Sequence, residues 1–181
     1  MKKIPSFLAF AMMVVFSIAF TSCGNDDEDD DFVKNGSQIE INGKKHNVFD
    51  TSLLWCDMVA LYGETMMKGL YGDNYLEQNT AMCSIDTSNG DSYLFSWVSP
   101  YEPKKGDVIS KMKDFVMEPD IIGQKKDIEY SYGGGTAKII DTNVSKEEMT
   151  IQFDNLKMVK GSDSFSFTGQ LTFPFDYSEL H

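Results

Sequence analysis

The stretch Phe165-Ser166-Phe167-Thr168-Gly169-Gln170-Leu171-Thr172-Phe173-Pro174-Phe175 decides the fold class. Phe165, Phe167, Gly169, Leu171, Phe173 and Phe175 alternate with Ser166, Thr168, Gln170, Thr172 and Pro174. Successive side chains of a strand point to opposite faces, so this pattern describes an antiparallel strand with one face in a core and one in water.

Working outward, the same period returns upstream. Met149, Ile151 and Phe153 share a face, and then Leu156 and Met158 are shifted by one position. A β-bulge at Asp154-Asn155 accounts for such a phase change. Ile128, Tyr130 and Tyr132 share a face ahead of Gly133-Gly134-Gly135, which reads as a hairpin turn leading to a return strand with Ala137 and Ile139. Tyr93, Phe95 and Trp97 alternate after a turn at Thr87-Ser88-Asn89-Gly90, and Ala81, Cys83 and Ile85 alternate before it. Ile39 and Ile41 precede Asn42-Gly43, the strongest short signal for a two-residue hairpin. Two segments are ambiguous. Leu53 to Tyr62 suits a strand slightly better than a helix capped by Thr51 or Ser52, and Asp107 to Glu118 suits a short helix or an irregular crossover equally. The expectation is an all-β domain, an antiparallel β-sandwich or open β-barrel of about nine short strands with room for one short helix.

The N-terminus has a different character. Lys2 and Lys3 precede an apolar run from Ile4 to Phe20, the layout of a secretory leader. As a helix the run would span roughly 26 Å, short for a ~30 Å hydrocarbon core. Thr21-Ser22-Cys23-Gly24 follows and resembles the lipobox of bacterial lipoproteins, although Phe20 stands where leucine is commonest. That resemblance implies cleavage before Cys23 and acylation of its thiol. Asp26-Asp27-Glu28-Asp29-Asp30-Asp31 comes next, a self-repelling run that reads as a solvated spacer. The run is also similar to the surface-export signal of Bacteroidetes lipoproteins. The division is therefore a leader over 1–22, a lipidated Cys23 with an acidic spacer over 23–35, and a single β-rich domain over 36–181.

The Ile41-Asn42-Gly43-Lys44 opening, the glycine triplet, Thr150-Ile151-Gln152-Phe153 and Phe167-Thr168-Gly169-Gln170-Leu171-Thr172-Phe173 together resemble small Bacteroidetes-type surface-exported lipoproteins of an uncharacterised β-rich family. The resemblance covers the beginning and the end of the domain, and its motifs are structural. It implies a cell-envelope protein, lipid-anchored in the outer membrane and exposed at the cell surface; it implies no activity.

Composition narrows the chemistry. Of 181 residues, 28 are acidic and 16 are basic, all lysine, for a net charge of −12. Without arginine or a basic stretch there is no footprint of a nucleic-acid binder. Two histidines, His46 and His181, are too few for histidine-based metal or general-base sites, and no metal or cofactor is expected. Asp86-Thr87-Ser88-Asn89-Gly90-Asp91 superficially resembles a calcium loop, but its glycine and twelfth position are wrong, and it reads as a tight turn. Cys56 and Cys83 are an even pair in an exported chain; a disulfide between them would contribute about 3.6 kcal/mol on the loop-entropy model, and two buried thiols are the alternative.

Aromatic residues give the positive functional hint. The Tyr93–Trp97 stripe reads chiefly as core, while Trp55 and Tyr101, with Trp97, are candidates for stacking on a ligand. The expectation is a non-catalytic binding or interaction domain for extracellular glycan or protein, tied to the membrane through its N-terminal lipid. The alternatives are a calycin-like barrel holding a small apolar ligand and an envelope hydrolase with two facing carboxylates.

Overall fold

The computed structural model describes residues 37–122 and 128–175; the leader, Cys23 and the acidic run lie outside the described residues. Eight strands follow in order: β1 (Gln38–Ile41), β2 (Lys44–Cys56), β3 (Thr80–Thr87), β4 (Ser92–Val98), β5 (Val116–Asp120), β6 (Tyr130–Asn143), β7 (Glu148–Lys160) and β8 (Asp163–Pro174). Each pairs antiparallel with the next, and β8 returns to β1, so the sheet closes into a barrel. The antiparallel all-β expectation holds. Its sandwich and open-barrel forms give way to a closed barrel, which leaves few unpaired strand edges.

The strand count falls from about nine to eight, and the strands lengthen, because the glycine triplet is not a turn. It lies inside β6, a strand of 14 residues. Register shifts flank Gly134, and β7 shifts between Phe153 and Leu156, so bulges in the two neighbouring strands lie side by side. A Cβ on Gly135 would overlap the Asn155 carbonyl oxygen, and Gly135 also has a φ of 76°. Glycine is required there for close backbone approach rather than for chain reversal. The bulge expected at Asp154-Asn155 is present, with Asn155 at φ 45°.

Closure depends on the first hairpin. Asn42 and Gly43 have φ of 52° and 76°, which suits the tight turn between β1 and β2. The Asn42 backbone N–H donates to Ser166 O at 2.9 Å, and its side-chain Oδ1 accepts from Ser166 N at 2.8 Å. One residue thus makes the turn and fastens it to β8.

Inside, rings from opposite walls meet. Phe95 on β4 lies 5.8 Å from Phe153 on β7 and 5.2 Å from Phe167 on β8, centroid to centroid. Tyr93 lies edge-on to Phe165 and Phe167, and Phe165 meets Tyr130. Edge-to-face pairs of this kind add to the burial of large apolar area. The Tyr93–Trp97 stripe is core, as its alternation implies.

The two ends of the barrel differ. One end, here called upper, carries the short turns at Asn42-Gly43, Ser88–Asp91 and Gly161-Ser162 together with the end of β5 at Asp120 and the start of β6 at Tyr130. The lower end carries the long connections β2–β3 and β4–β5 and the turn between β6 and β7. The ambiguous Leu53–Tyr62 segment divides: β2 runs to Cys56, then α1 (Met58–Tyr62) begins, capped by Asp57, whose Oδ1 accepts from Val59 N and Ala60 N. After Gly63 comes α2 (Glu64–Tyr71), then a 3-10 segment over Gly72–Glu77. In the β4–β5 connection only Ile109–Lys111 forms a 3-10 turn. This crossover completes the wall. The β5–β6 ladder spans just two residue pairs, and lower down β6 bonds instead to the crossover. Gly106 N donates to Ile139 O, Ile139 N to Asp107 O, and Ala137 N to Ser110 Oγ.

Candidate functional site

Register places the site. Trp55 on β2 pairs with Ala81 on β3, and Ala81 pairs with Trp97 on β4. Directly paired residues share a face, so both indoles and the alanine form one inward rung. It is the last inward rung before the lower end, since β2 stops at Cys56 and β4 at Val98. Trp55 is half-buried, whereas Trp97 is 1% exposed with its ring 6.3 Å from that of Phe115. Ala81, the smallest side chain on the rung, stands between the two indoles.

A strap of chain closes over this rung. Trp55 Nε1 donates to Ser99 O at 3.2 Å, and Ser99 Oγ donates to Tyr101 O at 2.6 Å. Ser99 itself is fully buried and is fixed to the β2–β3 connection through Ser99 N to Asn79 O. Asn79 in turn accepts from Met58 N at the start of α1. Tyr101, 44% exposed, lies beyond the strap at the rim. Its hydroxyl donates to Asp107 Oδ1 at 3.4 Å, and Lys104 Nζ sits 4.6 Å from its ring centroid. The Asp107 carboxylate holds the Tyr101 hydroxyl above its ordinary range. Lys105 Nζ reaches Asp141 at 3.1 Å, and that hydrogen bond lowers the Asp141 carboxyl.

The structure therefore gathers the three stacking candidates of the sequence, Trp55, Trp97 and Tyr101, at one end. It also separates their exposures, since Trp97 is buried while Tyr101 is exposed. Ser99, Lys104 and Asp107 were not singled out by sequence. Their closeness to Trp97 and Tyr101 along the chain was the available signal, whereas the part played by Ala81 depends on cross-strand register.

Trp97 carries an anomaly. Its Nε1 is a buried donor with no acceptor among the described residues. Leaving such a donor unmatched costs about 1–3 kcal/mol.

The cysteine pair resolves against the disulfide. Cys83 pairs with Leu53, three positions from Cys56, so the two cysteines project from opposite faces of the wall. Along the strand they stand about 10 Å apart, beyond the reach of a bridge. Burial pushes the Cys83 thiol up and keeps it protonated. Among the described residues no group of three or more His, Cys, Asp or Glu converges as a metal site, and no helix is long and apolar enough to cross a membrane. The Asp86–Asp91 segment is a hairpin turn, with Thr87 Oγ1 donating to Asp91 O.

No family model matches the chain, and neither a curated protein nor a solved structure matches it significantly.

Proposed function

We propose that the chain is a lipid-anchored cell-surface protein whose barrel binds extracellular glycan at its lower rim. The observation that carries this reading is the convergence of Trp55 and Tyr101 with Lys104 and Asp107 around a single strap. Partly exposed aromatic rings bordered by donors and acceptors match the two surfaces of a sugar, an apolar C–H face and a hydroxyl edge. Rings from opposing walls fill the barrel at Phe95, Phe153 and Phe167, which favours the rim over a central apolar cavity as the binding place.

The envelope part of the reading rests on the lipobox-like Thr21-Ser22-Cys23-Gly24 and the acidic run after it. Intact mass of protein from the native membrane is expected to show a chain beginning at acylated Cys23; an unacylated chain retaining Met1 overturns it. For the binding part, a glycan array probed with the full chain is expected to give signals that Tyr101→Ala weakens. A blank array with folded protein, or signals indifferent to that substitution, contradicts it.

A further inference from the structure

The unmatched indole N–H of Trp97 identifies the chemistry of the group that reaches deepest. We infer that the glycan bound at the rim carries an N-acetyl substituent, which enters beside Ala81 with its carbonyl oxygen accepting from Trp97 Nε1. This rests on the glycan reading above and gives it a ligand class.

Hydrogen-bond capacity selects the group. The rung offers a stranded donor, and Trp97 Nε1 is the one buried side-chain polar atom among the described residues without a partner. Ala81 pairs with Trp97 on the rung, and the Phe115 ring lies 6.3 Å from the indole, centroid to centroid. A plain sugar hydroxyl could accept from the indole but would bring its own proton into the same surroundings, exchanging one stranded donor for another. An acetamido group avoids this. Its carbonyl only accepts, and its methyl suits the contact with Ala81 and Phe115. Its N–H remains on the strap side, where Ser99 O and Tyr101 O lie. Entry requires the strap to shift, which breaks the 3.2 Å bond from Trp55 Nε1 to Ser99 O. Its release places a second indole donor on the same rung.

Isothermal titration of the full chain with the N-acetylglucosamine trimer and with the glucose trimer tests this. The acetylated trimer is expected to bind roughly tenfold tighter, the worth of one matched hydrogen bond. Trp97→Phe, which retains a ring and removes the donor, is expected to abolish that preference, while Tyr101→Ala weakens both sugars. Should Trp97→Phe fail to fold, the indole proton resonance of Trp97 in the unmodified chain is expected to move with the acetylated trimer alone. Equal affinity for the two trimers, or an unmoved Trp97 resonance, overturns the inference while leaving glycan binding intact. If neither trimer binds, the inference is overturned, and the glycan reading falls with it only if the array is blank as well.

Discussion

The wall formed by β6, β7 and β8 and the connections at the lower end are built on opposite terms. The wall is long and, apart from its bulges, paired and alternating, and its inward residues Ile151, Phe153, Phe167 and Leu171 are fully buried. The lower-end connections hold short helical turns and a strap, fixed by single bonds such as Ser99 N to Asn79 O. One region buries apolar area and sets the shape; the other places aromatic and polar groups where a ligand can reach them. A rigid frame carrying functional connections is a common division of labour, and the proposed function assigns the frame to the strands and binding to the lower-end connections.

Substitutions in the wall should therefore change stability, and substitutions at the lower rim should change binding. The largest effect is expected from Phe95→Ala, which removes a ring that meets both Phe153 and Phe167. A loss of about 3–5 kcal/mol in denaturant unfolding is expected; a loss below about 1 kcal/mol would mean the rings do not meet across the barrel. Gly135→Ala comes next. The added Cβ collides with the Asn155 carbonyl at the paired bulges, and about 3 kcal/mol should be lost. A neutral result would deny that β6 and β7 approach so closely.

Alkaline pH sharpens the comparison from a different side. Burial pushes the Tyr93 hydroxyl up to about 12, with the nearby Asp91 adding to the rise. Between about pH 10 and 12 the unfolded chain has lost this proton and the folded chain keeps it, so stability falls as pH rises, by about 1.4 kcal/mol per pH unit. Below about pH 10 the contribution is fully present. Tyr93→Phe should flatten that slope, and an unchanged slope would place the hydroxyl in water. The smallest stability effect belongs to Tyr101→Ala, expected to change unfolding by less than about 0.5 kcal/mol because the ring is exposed. Melting curves of the variant and the parent that differ by several degrees would make Tyr101 a structural residue.

What was legible in the sequence follows the same division. β8 and the lower half of β7 could be read directly, since one buried face imposes strict alternation, and the Asp154-Asn155 bulge showed as a phase change. Gly133-Gly134-Gly135 misled because three glycines suit a reversal and a close strand crossing alike; only the neighbouring strand distinguishes them. Leu53–Tyr62 was ambiguous because strand and helix meet inside it, with Asp57 as the boundary. At the site, Trp55, Trp97 and Tyr101 stood out by type. Their meeting through Ala81 and Ser99 depends on register and on a crossover with no periodicity to read. Cys56 and Cys83 show the same limit, since spacing alone could not reveal that they face opposite ways.

In the proposed division, the lower end binds while the wall serves as frame. Hydrogen–deuterium exchange on the full chain, with and without the N-acetylglucosamine trimer, tests it most directly. Amides of β6 to β8 should exchange slowly and equally in both states, and added sugar should slow exchange in the segment from Ser99 to Asp107. Slowing confined to the upper turns, or no change anywhere, would contradict the account.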